Sequence, residues 1–457
     1  MPSTLELVAT VLFVVAIIHT FSVSAFARLA HRPGPHSGLW HMLSEVEAVF
    51  GVWAFVLLVI MAFAGGLGDA LHYFDTRNFT EPAFVFAIMV VAASRPIIEL
   101  VRLLTEIIAR VIPVRNELAV FFVTLSFVPL AGSFITEPAA MTLAALLLRD
   151  AYFRRRGDTA FKYMTIGVLF VNVSIGGVLT SFAAPPVLMV AHTFGWGAAH
   201  MATHFGWRAA LAVAINAGVL TLICRRYLAG GAAAGGSAKS AAAGGAAADD
   251  GARAPGSTAA GHAAGAASTP PAGGKRRVPF AVMGVHLAFL VGIVLGAHHP
   301  TIFLGLLMLF VGYTEAYRQF QSRLMIKEGL MVGFFLAGLV VLGGMQHWWL
   351  QDLLAGLSPL VLYWGATALT AVTDNAALTY LGSLVSGTSE LWRYMLVAGA
   401  VTGGGLTVIA NAPNPAGFAI LKQHFPDGSI SPLWLLGSAL IPTLVAAFMF
   451  LLPNSFT

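Results

Sequence analysis

Charge is what this chain has least of. Only 10% of its 457 residues are Asp, Glu, Lys or Arg, against about 25% in soluble domains. With 58% hydrophobic residues and a mean hydropathy of +0.82, a water-soluble globule is excluded and a polytopic membrane protein is implied. Cysteine is nearly absent as well. Cys224 stands alone, so no intrachain disulfide can form, and cysteine usage says nothing of redox compartment. Enzyme signatures are missing: there is no phosphate-binding Walker loop, no His-Glu-x-x-His and no Gly-x-Ser-x-Gly. The net charge of +5 and pI near 9.5 do not point to nucleic acid, because basic residues in a membrane protein mostly mark cytoplasmic loops.

One stretch is not membrane. Residues 229–277 are almost all Ala, Gly, Ser, Thr and Pro. Without large apolar side chains they cannot offset the entropy of ordering, so they read as a flexible cytoplasmic linker. The linker divides the chain into a first membrane repeat, 1–228, and a second, 278–457.

Each repeat offers five apolar spans: near 5–27, 46–66, 79–95, 163–191 and 208–224, then near 279–297, 300–317, 329–346, 394–421 and 432–452. Each also offers a pair of apolar arms around one acid, 117–134 with 138–148 and 356–372 with 375–386. The later arm of each pair has about a dozen residues, where a spanning helix needs about 17 or more. Both pairs therefore read as re-entrant hairpins. With the N-terminus outside, the inside loops hold 22 of the 25 Lys and Arg residues, and only Arg77, Arg208 and Arg393 fall elsewhere. That distribution follows the positive-inside rule and puts both termini outside. Five spans is an odd number, so the second repeat starts from the opposite face. The expected fold is thus an all-α membrane protein of two inverted-topology repeats, with about ten transmembrane helices, two opposed re-entrant hairpins and two broken helices. A rival reading of the first span, as a signal peptide cut after Ala25-Phe26-Ala27, lacks a basic leader segment and spoils the matched count.

The acids recur with their surroundings. "TEPAAMTLAALLL" from Thr136 and "TDNAALTYLGSLV" from Thr373 align at a shift of 237 residues, sharing the Thr, the acid, the Ala-Ala pair, the next Thr and a later Leu. After each hairpin comes a long apolar segment with a break: "GGVLTSFAAPP", Gly176 to Pro186, and "GGGLTVIANAPNP", Gly403 to Pro415, with Thr180 aligned to Thr407. Clustered Gly and Pro end helices, and interrupted segments at matched places in two halves point to a transport site. Carbonyls freed there, with Thr, Ser and Asn oxygens, suit a hard cation. A carboxylate at membrane depth is costly and usually functional, and one that holds either a proton or a cation is the minimum for exchange. The expected ion and proton site is Asp374, first, with Asn375, Thr373, Thr407 and Asn411; Glu137, with Thr136, Thr180 and Ser181, comes second. Glu137 is followed by Pro138 rather than Asn, and Ala184 stands where the other break has Asn411.

These tips and the broken "GGGLTVIANAPNP" resemble the ion transporter superfamily, nearest to a family described as putative sodium/proton antiporters. The resemblance covers both halves but not the linker. It implies two hairpins meeting two unwound helices, sodium near the tips, elevator-like alternating access, often a homodimer, and a bacterial inner-membrane location. It carries roles onto Thr136 and Glu137, onto Thr373, Asp374 and Asn375, and onto the breaks at Thr180 and Thr407. The expected function is exchange of sodium, or a similar monovalent cation, for protons, with no cofactor and no resident metal. Alternatives are a sodium-coupled anion, carboxylate or arsenite-type carrier, then a membrane-embedded enzyme or a channel. The superfamily's carboxylate carriers show Ser-Asn-Thr at both tips, which this chain lacks.

Blander readings compete at each place. The acids can be helix N-caps, the glycines can serve close helix packing, and His200 with His204 can be ordinary loop residues. Residues 97–113 read as an interfacial amphipathic helix.

Overall fold

The computed structural model describes residues 2–30, 34–154, 158–229 and 277–453. Helices are the only regular structure among them. All but the ends of the linker expected at 229–277 lie outside the described residues.

Seven helices are long and apolar enough to cross a membrane, or eight if the pair Thr80–Ala92 and Arg95–Val111, bent by 65°, counts as one more. The chain is a multi-pass membrane protein of all-α class. The expected ten spans are not all of that length. Phe280–Leu295 has 16 residues and Pro300–Ala316 has 17; at 1.5 Å per residue they reach only about 24–26 Å, under the roughly 30 Å of a hydrocarbon core. The expected span 394–421 is two helices, Glu390–Gly403 and Asn414–Leu421. Asn116–Ile135, expected as a hairpin arm, has 20 residues and is long enough to cross by itself. The amphipathic segment is the helix Arg95–Val111, whose charged face carries the i,i+4 pairs Arg95–Glu99 and Arg102–Glu106.

Local sequence explains the boundaries. Val46–Gly65 ends where Gly66 takes φ 96°, a conformation only glycine adopts without strain, and the chain turns into Leu67–Asp75. The bend before Arg95–Val111 falls at Ser94, with Pro96 in the first turn of the new helix, where a missing N–H costs nothing. Large apolar side chains cover the outside of the spans. Phe63 is 89% exposed and Ile441 is 72% exposed, a surface that suits lipid and not water.

The helices group into two bodies. Thr4–Ala30, Val46–Gly65, Thr80–Ala92, Phe280–Leu295, Pro300–Ala316 and Ile326–Gly343 pack on one another. Two tip-forming helix pairs, Asn116–Ile135 with Glu137–Leu148 and Pro359–Thr370 with Asn375–Ser383, form the second body. With them are two broken helices, Thr159–Gly176 continued by Pro185–Phe194 and Glu390–Gly403 continued by Asn414–Leu421, and the helices Trp207–Ile223 and Pro432–Phe450. The bodies touch along Thr80–Ala92 and Ile326–Gly343.

Within the second body the chain halves interlock. The first arm of each tip pair packs on the broken helix of its own half: Asn116–Ile135 on Thr159–Gly176, and Pro359–Thr370 on Glu390–Gly403. The second arm packs on the far piece of the other half's broken helix: Glu137–Leu148 on Asn414–Leu421, and Asn375–Ser383 on Pro185–Phe194. Each tip is therefore held between the two breaks.

Candidate functional site

The first tip turns at one residue. Thr136 takes φ 71° and ψ 148°, and among the described residues it is the one non-glycine with positive φ. A β-branched residue pays for that conformation in steric strain. The strain serves to aim the next residue inward. Glu137 starts the second arm with Pro138 behind it and is completely buried. Its Oε2 accepts a hydrogen bond from Asn411 Nδ2 at 2.9 Å, while Oε1, equally buried, has no partner. No Lys, Arg or His forms an ion pair with it among the described residues. A carboxylate removed from water with no positive partner is among the costliest arrangements in a protein.

The second tip is built differently. Asp374 caps Asn375–Ser383 through Oδ1, which accepts from the backbone N–H groups of Ala376 at 2.8 Å and Ala377 at 3.1 Å. It is half-buried. The N-cap reading is thus realised at Asp374 and not at Glu137, whose side chain is not a cap. Asn375 is completely buried, and neither its Oδ1 nor its Nδ2 has a partner. Thr373 spends its hydroxyl on Leu369 O, 2.8 Å away within its own arm.

Both breaks fall where the Gly and Pro clusters put them. The first helix leaves regular geometry after Leu179 and restarts at Pro185-Pro186. The second stops at Gly403 and restarts at Asn414-Pro415. Thr180 and Thr407 do the same work in the two halves. Thr180 Oγ1 donates to Ser133 O at 2.7 Å and Thr407 Oγ1 to Ala371 O at 2.8 Å, each tying a break to the tip of its own half. Glycines let the tips come close. A Cβ on Gly177 would run into Glu137 Oε1, and one on Gly404 would lie 2.8 Å from Asn375 Nδ2 and strike Ser174 Oγ. The packing role expected of the glycines is real, and what they pack against is the site.

The second break joins the two tips. Asn375 N–H donates to Ala410 O at 3.2 Å, and the next residue, Asn411, donates to Glu137. Residues from both halves meet there: Thr136, Glu137, Asn375 and Asn411 come together, with Asp374 beside Asn375 at the rim. Thr180 and Thr407 hold the breaks in place, and Thr373 points back into its arm. Ser181 lies on the first break. It lines a cavity of about 470 Å³ that opens beyond the first break.

Some residues of this region escaped the sequence. Asn414 Nδ2 donates to both Gly404 O and Thr407 O at 2.8 Å, covering carbonyls freed by the break, and its own Oδ1 is left unpartnered. Ser133 Oγ donates to Gly176 O at 2.7 Å and accepts from Leu179 N–H at 2.9 Å. Ser174 Oγ donates to Val401 O at 2.7 Å where the two broken helices cross. Asn414 lies inside the quoted break and Ser133 three residues before the first tip, so closeness to the motifs was the available signal. Buried oxygens without partners gather here: Thr136 Oγ1, Glu137 Oε1, Thr370 Oγ1, Asn375 Oδ1, Asn411 Oδ1 and Asn414 Oδ1. Buried polar atoms are nearly always satisfied in native proteins, and hydroxyl, amide and carboxylate oxygens are the donors a hard cation takes. His200 and His204, by contrast, stack on each other with centroids 4.2 Å apart, and no cluster of three metal-binding side chains exists among the described residues.

A family model described as "Putative Na+/H+ antiporter" matches residues 4–453. No curated protein matches the chain.

Proposed function

The chain belongs to that family of Na⁺/H⁺ antiporters, and from this premise we propose that it exchanges sodium for protons by alternating access, at a site made from both tips and both breaks. One observation carries the reading: Glu137 is completely buried with one oxygen unpartnered and no ion pair, and Asn411, which donates to it, and Asn375, tied to the same break, each keep an unpartnered oxygen. The vacant positive charge is filled by turns, by Na⁺ on Glu137 Oε1 and the neighbouring oxygens, or by a proton on the same carboxylate. Because one group serves both ligands, binding of one displaces the other. Asp374 sits beside Asn375, where its partly buried carboxylate passes the cation or proton to and from the site. Thr136, Thr180, Ser181, Thr373 and Thr407 shape the tips and breaks around them. No resident cofactor is required.

The proposal includes the inverted repeat. The interlocked packing, in which each tip pair leans on its own broken helix and on the far piece of the other, supports two re-entrant hairpins of opposite orientation. Motion of that body against the six-helix body would expose the tips to each side in turn, and a cation drives the change only by binding one state more tightly. The resemblance adds a homodimer and a bacterial inner membrane, with both termini outside. An anion carrier is disfavoured, because two carboxylates without a cationic partner would repel its substrate.

The test is proton movement in everted membrane vesicles, read by a pH-gradient dye as NaCl, KCl or LiCl is added. Wild type should collapse the gradient with sodium, and Glu137→Gln and Asp374→Asn should not. A silent wild type, in vesicles that contain the folded protein, would refute exchange.

A further inference from the structure

We propose that Phe182 is the gate on one side of the ion path. Phe182 lines both of two cavities. The larger, about 470 Å³, is a vestibule lined by Glu81, His192, His298, Trp196 and Ser181, with no Lys or Arg in its lining. The smaller, about 10 Å³, touches Thr136 and Pro138 of the first tip, Ala183 of the first break and Ala412 of the second. That volume holds about one water molecule, or one ion that has shed its shell.

The burial of the break follows the same partition. Ser181 and Phe182 are half-buried, while Ala183 and Ala184 are buried. Along the chain, the change from open to sealed therefore falls at Phe182. The ring stands on backbone that has left the helix, between Leu179 and Pro185, so no helical ladder fixes its position. Among the described residues it stacks on no other aromatic ring. An apolar side chain closing a narrow passage excludes water and ions until it moves. The proposed passage runs from the vestibule, past Phe182, to the chamber lined by Thr136, the residue before Glu137. The vestibule walls also suit a cation: Glu81 offers a carboxylate, and the paired rings of His192 and His298, 5.7 Å apart, offer lone pairs while neutral. In the orientation proposed above, the loops that line the vestibule face outside.

This inference rests on the proposed exchange for its purpose but not for its test. Cys224 is the one cysteine, so a Cys224→Ser background allows single-thiol reporters: Ser181→Cys in the vestibule and Thr136→Cys in the chamber. The probe is Ag⁺, a thiol-reactive cation close in size to Na⁺, applied as nitrate to right-side-out vesicles. Modification is read as loss of maleimide labelling after denaturation. Ser181→Cys should react quickly whatever stands at 182, which also reports an intact vestibule. Thr136→Cys should react slowly beside Phe182 and roughly tenfold faster beside Phe182→Ala, a barrier change of about 1.4 kcal/mol, with Phe182→Leu between them. Equal Thr136→Cys rates across the three side chains, or a rate beside Phe182 as fast as that of Ser181→Cys, would overturn the gate. If the rates change as expected while the wild-type protein moves no protons against sodium, the gate stands and the antiporter reading fails.

Discussion

Asn411 reaches across 274 residues of sequence to donate Nδ2 to Glu137 Oε2 at 2.9 Å. The bond holds a buried carboxylate of one half with an amide from the break of the other. It leaves Glu137 Oε1 and Asn411 Oδ1 without partners. Asn411→Ala should therefore weaken sodium binding more than it weakens the fold. Losing a buried hydrogen bond to a charged group costs about 1–3 kcal/mol, which is roughly a 5- to 150-fold higher half-saturating sodium concentration. The dye assay in vesicles reads this directly. An unchanged sodium dependence would remove Asn411 from the site.

A proton and a sodium ion competing for one carboxylate predict the pH dependence and its sign. Acid favours the proton, so the apparent sodium affinity should fall as pH falls. With one proton displaced per ion, the half-saturating sodium concentration should rise by up to about tenfold per pH unit. Above the range in which the proton competes, the curve should level off. Asp374→Asn, which leaves Glu137 in place, should keep this slope in a sodium-binding assay even where it slows transport. A slope of zero across the range would mean that proton and cation do not share a group.

At Gly177 an added methyl would strike the proposed site itself. Its Cβ would collide with Glu137 Oε1, the oxygen proposed for the ion. Alanine favours a helix over glycine by about 1 kcal/mol, so loss of helix cannot account for a defect. Gly177→Ala should abolish exchange while the protein stays folded in detergent. Gly305→Ala, on a helix where nothing lies within 4 Å of the new methyl, should behave as wild type. Normal exchange by Gly177→Ala would show that Glu137 can be displaced without consequence.

How much of this could be read from the sequence depended on the range of the interaction. The breaks were legible because Gly176-Gly177, Pro185-Pro186 and Pro415 act on their own backbone. The matched acids were legible because a repeat of residue types survives without knowledge of contacts. The sequence ranks Asp374 ahead of Glu137 because Asn375 follows it directly and Asn411 belongs to the break of its own half. In space Asn411 serves Glu137, a pairing that only the interlocking of the halves creates. Phe280–Leu295 and Pro300–Ala316 are one to three residues shorter than the expected spans 279–297 and 300–317, since the first helix ends at Gly296 and the second starts at Pro300. Asn414 stood in plain view inside a quoted motif. Its role of covering two freed carbonyls is set by the shape of the turn, which residue types alone do not specify.

Thr180 and Thr407 provide a test of whether the two breaks are equivalent. Each donates its hydroxyl to a backbone carbonyl at the tip of its own half, Ser133 O at 2.7 Å and Ala371 O at 2.8 Å. Valine keeps the shape of threonine and removes the donor. Thr180→Val and Thr407→Val should each destabilise the protein by about 0.5–1.5 kcal/mol, seen as a drop of a few degrees in the thermal unfolding of purified protein. Thr180 is buried and Thr407 is half-buried, and water can replace part of the lost bond at Thr407. The Thr180 variant should therefore lose more. Added sodium should restore part of the loss in both, because an ion that binds only the assembled tips stabilises the folded state by mass action. Restoration by sodium in Thr180→Val but not in Glu137→Gln would locate the stabilising ion at Glu137. Equal restoration in Glu137→Gln would locate it elsewhere.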